Sequence, residues 1–144
     1  MAINTQKVVV GGLAAGVVLT ALDYLVNGVL LAEQAEAAMN ALNPALAENT
    51  QSTGMIVTIV VVDFLMAILL TWTYAAMRPR FGPGPKTAFI AALQLWIFGD
   101  LLMAFFASAG MFSWGFYGLN ALTSLVVFQI AVQVGAKVYS EGAA

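Results

Sequence analysis

Three aspartates, Asp23, Asp63 and Asp100, each interrupt an apolar run that contains no lysine, arginine or histidine. In the stretch VVVDFLMAILL (60–70) the acid is the only charged group among eleven residues. A carboxyl group in such a setting has few chemical options. It can carry a proton, accept hydrogen bonds from neutral donors, be hydrated, or bind a cation. Which of these applies depends on the elements that hold the three acids.

Those elements are helices in a membrane. The chain has 144 residues, 62% of them hydrophobic and 8% charged, with a mean hydropathy of +0.93, far from the balance of a water-soluble domain. Four segments, about 8–31, 54–77, 87–110 and 115–138, reach the ~20 residues needed to cross a bilayer core of about 30 Å. The expected fold is all-α: an integral membrane four-helix bundle forming a single domain over residues 1–144. The first segment is too long for a secretory signal and no convincing small-residue cleavage site follows it, so it is expected to be retained.

All the basic residues fall on one side of this arrangement: Lys7, Arg78, Arg80, Lys86 and Lys137. The opposite side has Glu33, Glu36 and Glu48 and no lysine or arginine. The positive-inside rule then places both termini of this multi-pass protein in the cytoplasm. RPRFGPGPK (78–86) should be a sharp hairpin, its prolines at 79, 83 and 85 forbidding continuous helix. EQAEAAMNAL (33–42) has the composition of a short surface helix that Asn43-Pro44 would end. The third and fourth spans are joined so closely that they must be antiparallel neighbours.

AAGVVLTALDYL (14–25) and AALQLWIFGDLL (91–102) align without gaps, matching Asp23 with Asp100, a faint two-hairpin parallel repeat. At ~1.5 Å per helical residue, Asp23, Asp63 and Asp100 lie roughly 5, 4 and 2 Å outward from their span midpoints, a common layer. Each sits on a stripe of small and polar residues: Gly12, Gly16, Thr20, Asp23 and Asn27 in the first span; Asp63, Ala67, Thr71, Tyr74 and Arg78 in the second; Ala88, Ala92, Trp96, Asp100 and Ala104 in the third. Asn120, Ser124, Ala131 and Gly135 give the fourth. Such stripes let helices approach closely and turn the acids inward or toward a neighbouring subunit.

An ionised Asp near a helix centre costs about 2.5 to 3.5 kcal/mol, so three cost roughly 9, and no basic side chain at this depth offsets it. The expectation is a proton- or cation-binding site made by Asp23, Asp63 and Asp100, supported by Thr20, Asn27 and Ser124, with at least one proton shared among crowded carboxyls. The competing expectation is that protonated aspartates act as interhelical glue, at about 0.6 to 2 kcal/mol per hydrogen bond. Gln129 and Gln133 are expected to be helix–helix contacts. Trp114 and Tyr117 outside, with Trp72, Tyr74 and Tyr139 inside, read as interfacial anchors. Trp96 is deep enough to shield or hydrogen-bond Asp100.

Absences narrow the function. Without Cys or His there is no thiolate, zinc site, iron–sulfur cluster or ordinary haem ligand. A serine nucleophile lacks its histidine base, and the basic residues are too few to bind nucleic acid. No cofactor and no enzymatic activity are expected. An oxygen-only ligand set suits H⁺, Na⁺ or a hard divalent cation.

The layout, with RPRFGPGPKTA (78–88) as the inner hairpin and GFYGLNALTSLVVFQIAVQVGAKVY (115–139) as the closing span, resembles small uncharacterised bacterial four-helix inner-membrane proteins, a group that carries no known activity. Size and topology are also similar to the small multidrug resistance transporters, which use a membrane-embedded Glu in the first helix. Here Asp23 occupies the first span and two further acids are added, so the transporters' function is an analogy and not a residue-by-residue inheritance. Two functions therefore stand as expectations. One is a proton- or cation-binding protein, a small transporter or channel subunit. The other is a non-catalytic accessory or assembly subunit of a larger membrane complex. Lipids, and a second copy or a larger complex, are the expected partners, because so small a bundle has little interior in which to hide three carboxyls.

Overall fold

The computed structural model describes residues 3–140. The chain ends, expected to be cytoplasmic, lie outside the described residues. Six α-helices follow in order: α1 (Thr5–Leu25), α2 (Ala32–Leu42), α3 (Pro44–Thr50), α4 (Thr53–Phe81), α5 (Pro85–Ser108) and α6 (Trp114–Val138), with a π-helical turn at Val26–Leu30 continuing α1. Four of these segments are long and apolar enough to cross a membrane: Thr5–Leu30, Thr53–Phe81, Pro85–Ser108 and Trp114–Val138.

Local chemistry sets the starts of these helices. The Asn4 side chain accepts from the Lys7 amide at 3.1 Å, Ser52 from Met55 at 3.2 Å and Ser113 from Phe116 at 3.1 Å. Each satisfies one of the amides that a helix N-terminus leaves open. Pro85 occupies the first turn of α5, where its missing N–H costs nothing. Asn43 ends α2 as expected, but it also caps α3, accepting from Ala45 at 3.0 Å, so the 32–53 connection holds a second helix. The hairpin also departs from expectation. α4 runs through Pro79 to Phe81, because a proline in the last turns removes only one hydrogen bond. The reversal is confined to Gly82 and Gly84, whose φ angles of 81° and 125° suit glycine alone.

All five basic residues sit at one end of the bundle, where α1 and α5 begin and α4 and α6 finish. α1 packs against both α4 and α6, and α5 lies mainly on α6. The expected small-residue faces are packed: Gly12, Gly16, Ala88 and Ala92 are all buried. A Cβ added to Gly12 would sit 2.6 Å from Ile68 Cα, and one on Gly16 would sit 2.6 Å from the Phe64 ring. Gly11 and Gly135 bring α1 and α6 together over Thr71, and a Cβ on Gly11 would lie 2.9 Å from the Gly135 carbonyl oxygen.

Burial is concentrated toward the basic end. Val8, Leu70, Tyr74, Ala75, Val132 and Tyr139 form one cluster with the alanines of α5. Ala15, Leu19, Val26, Ala67, Val127 and Ala131 continue it along α1. In contrast, no residue between 53 and 66, 93 and 106, or 114 and 126 is fully buried. The helices are locked together at the basic end and packed more loosely beyond their middles.

Two expected anchors are core residues instead. Tyr74 and Tyr139 are buried, their rings edge to face at 6.2 Å, with the Arg78 guanidinium carbon 5.8 Å from one ring centroid and 5.2 Å from the other. The Tyr74 hydroxyl accepts from the Gly84 amide at 3.1 Å, tying α4 to the hairpin. Depth alone suggested an aromatic belt, but these two rings point inward around a cation. Trp72 and Trp114 are exposed, as belt residues should be.

Candidate functional site

Where the tight packing of the basic half gives way, a small, partly open cavity of about 40 Å³ lies between α1, α4 and α6. Leu19, Val26, Val127 and Phe128 form its apolar wall, and Asp23, Asn27, Asp63, Asn120, Thr123 and Ser124 its polar one. The volume suffices for one water molecule or one largely dehydrated monovalent ion.

The close approach of α1 and α4 through Gly12 and Gly16 explains why two acids from different helices meet here. One and two turns beyond that crossing, α1 presents Thr20 and Asp23 to the same side as Asp63 of α4. Asp23 Oδ1 accepts from Asn27 Nδ2 at 2.7 Å, and Asn27 Oδ1 accepts in turn from Asn120 Nδ2 at 3.4 Å. Asn27 stands in the π turn, which Leu31 closes by donating to the Val26 carbonyl at 2.7 Å. Such turns are rare within α-helices and are frequent at functional sites. Here the turn places an asparagine between a carboxyl on α1 and a carboxamide on α6.

Asp63 is held less firmly. Its Oδ2 makes no hydrogen bond of ordinary geometry, but the Thr20 hydroxyl stands beside the carboxyl as its neutral donor, and the Asp23 carboxyl is near enough to interact with Asp63 electrostatically. The cavity thus joins a firmly hydrogen-bonded carboxyl to a weakly supported one. Every lysine and arginine lies at the basic end. Two carboxylates sharing a small space with no counter-ion would repel, and a proton, a cation or water between their oxygens would relieve that repulsion.

Asp100 is elsewhere. It accepts from the Tyr117 hydroxyl at 2.7 Å across the α5–α6 interface and does not line the cavity. Among the described residues, no three acidic side chains come close enough to share a metal ion. The three-acid layer expected from depth resolves into a pair on α1 and α4 and a separate, hydrogen-bonded acid on α5. Trp96 does not serve Asp100 either: its indole N–H donates to the Ala121 carbonyl and the Ser124 hydroxyl, each at 3.1 Å. It therefore holds Ser124 at the cavity wall. Gln129 and Gln133 donate to the carbonyls of Phe89 and Pro85 at 3.2 and 3.1 Å, helix–helix contacts as expected.

Of the site residues expected from the sequence, Asp23, Asp63, Asn27 and Ser124 line the cavity, Thr20 stands beside Asp63, and Asp100 lies apart; Asn120 comes from the expected stripe of the fourth span, while Thr123 in the wall and Tyr117 as the partner of Asp100 were not expected. A usable signal was present. The pairs 85 and 133, 89 and 129, 96 and 121, and 100 and 117 all mirror one another about residue 109, in the tight α5–α6 connection. A larger groove of about 760 Å³, lined by Glu36, Asn40, Glu48 and Gln51, lies open between α2 and α3. Its acids are exposed to water and not forced together. Comparison with models of protein families, with curated proteins and with solved structures finds no match to this chain.

Proposed function

We propose that this is a multi-pass protein of the bacterial cytoplasmic membrane whose Asp23–Asp63 cavity binds a proton or a small monovalent cation, as a small transporter or channel subunit would. The single observation that carries this is a small cavity lined by two carboxyls from different helices, Asp23 and Asp63, with every lysine and arginine at the far basic end. Asn27, Asn120, Thr123 and Ser124 add neutral oxygens around the same space, a ligand set suited to H⁺ or Na⁺ more than to a divalent ion, which would call for more carboxylate. The test is flux in liposomes: the parent should carry protons or Na⁺ down a gradient, and Asp63→Asn should fall to the rate of protein-free vesicles. Equal flux in both would remove the proposal.

The orientation belongs to the same proposal. With all five basic residues at one end, both termini are cytoplasmic and α2 and α3 lie on the outer surface. Reporter fusions at residue 144 and within 36–48 should report opposite sides, and an external C-terminus would invert the scheme.

A second function is favoured by a different observation. The loosely packed halves of α4, α5 and α6 leave large apolar side chains uncovered, among them Leu65, Phe98 and Leu122. An accessory or assembly subunit of a larger membrane complex would use such faces, with the aspartates as glue. That function predicts Asn variants that bind and assemble as the parent does.

A further inference from the structure

α5 carries an amide where a membrane-facing helix has no use for one. Gln94 is exposed and lies only about 4 Å from the midpoint of α5, by the 1.5 Å rise per residue. Water is roughly 11 Å farther along a bilayer core of half-thickness near 15 Å, beyond the reach of a glutamine side chain. The exposed or half-exposed hydroxyls of Thr58, Thr73 and Thr123, by contrast, donate to carbonyls one turn back on their own helices. Gln94 has no hydrogen-bond partner among the described residues, and a carboxamide left bare in hydrocarbon is costly.

The residues that share its face extend the pattern. Phe98, Leu101 and Phe105 follow Gln94 at intervals of four, three and four, the spacing of a helix–helix seam. They are the most exposed large apolar side chains of α5, at 78%, 66% and 63%. The stripe points away from α6, against which α5 packs inside the bundle.

We propose that this stripe is the interface of a two-fold symmetric homodimer in which Gln94 pairs with its own copy. Two chains inserted in the same orientation can be related only by an axis along the membrane normal. Residues on a shared seam then meet their counterparts at equal depth. A carboxamide is one of the few groups that satisfies itself in that geometry, since each copy has a donor and an acceptor to offer the other. A lone polar residue in an apolar seam also fixes register, the best attested use of such groups. This proposal is independent of the ion site, because the stripe and the cavity share no residue.

The chain contains no cysteine, so single cysteines report contacts without background. In membranes of the full-length protein, mild oxidation of Phe98→Cys and Leu101→Cys should give a covalent dimer of twice the chain mass. Leu122→Cys on α6 and Val17→Cys on α1, which are 66% and 62% exposed on other faces, should not. Gln94→Leu should weaken dimer formation about tenfold in energy-transfer titrations of labelled chains, while Gln94→Asn, which keeps the amide, should weaken it less. Three outcomes would overturn the proposal: cross-linking equal at all four positions, no cross-link at 98 or 101, or an adduct of another mass.

Discussion

Replacing Gly12 by leucine is expected to force α1 and α4 apart and destabilise the bundle strongly. A Cβ at this position would lie 2.6 Å from Ile68 Cα and 2.6 Å from Ile68 Cγ1. The first is a backbone atom and cannot rotate away. Relief would require α1 and α4 to separate along the interface that also brings Asp23 to Asp63. Gly16→Leu should be milder, because the obstacle there is the Phe64 ring, which can swing aside. Overpacking in a rigid core costs about 1 to 3 kcal/mol and occasionally more. At Gly12 the upper end is expected, a fall of roughly 10 °C in melting temperature for a chain of this size, with loss of the monodisperse elution peak in detergent. Gly99→Ala and Gly118→Ala are the controls. Neither position has an atom within 4 Å of the added Cβ, so each should be neutral or stabilising by up to about 1 kcal/mol. A Gly12→Leu protein that elutes and melts like the parent would mean that α1 and α4 do not cross as described.

The second large effect is expected at the paired carboxyls. Asparagine keeps the size of aspartate and can still accept from Asn27 or Thr20, but it cannot ionise. Asp63→Asn should fold as well as or better than the parent, yet lose the dependence of melting temperature on Na⁺ and on pH across the range in which carboxylates titrate. Asp23→Asn should do the same. Because the two groups share one cavity, the double variant should be no worse than either single one, a non-additivity that separate sites would not give. Asp100→Asn should leave these dependences intact, since its amide oxygen can still accept from Tyr117 and it lies outside the cavity. The readouts are melting curves in Na⁺ and in a large organic cation, together with liposome flux. Non-additive effects that include Asp100 would point to the broader three-acid site, additive effects from all three to independent groups, and no effect from any would leave the aspartates as glue.

Much of this was legible before any coordinates. The four spans follow from composition, since every backbone polar group in a bilayer must be satisfied within a helix. The packed faces follow from small residues at intervals of three and four: Gly12, Gly16, Ala88 and Ala92 are buried where those stripes put them. Depth and face together led to a three-acid site, of which the fold brings together Asp23 and Asp63. What depth cannot supply is the angle at which each helix is turned. Asp100 stands in the same layer, but α5 packs on α6 and not on α1, so its carboxyl meets Tyr117. The same gap explains Tyr74 and Tyr139, placed at belt depth by the sequence and turned inward around Arg78 by the fold. The π turn had no sequence signal beyond Asn27-Gly28. Pro79 was legible as a helix breaker but not as one too close to the helix end to matter.

Infrared difference spectroscopy of the carboxyl band, recorded on pH jumps and on addition of Na⁺, tests the ion site most directly. If the cavity binds a proton or cation, the parent should show a protonated-carboxyl signal that changes with pH and with Na⁺. That signal should vanish in Asp63→Asn and survive in Asp100→Asn. Aspartates that titrate independently near the reference value of about 3.9, with spectra of the parent and Asp63→Asn superimposable, would contradict it.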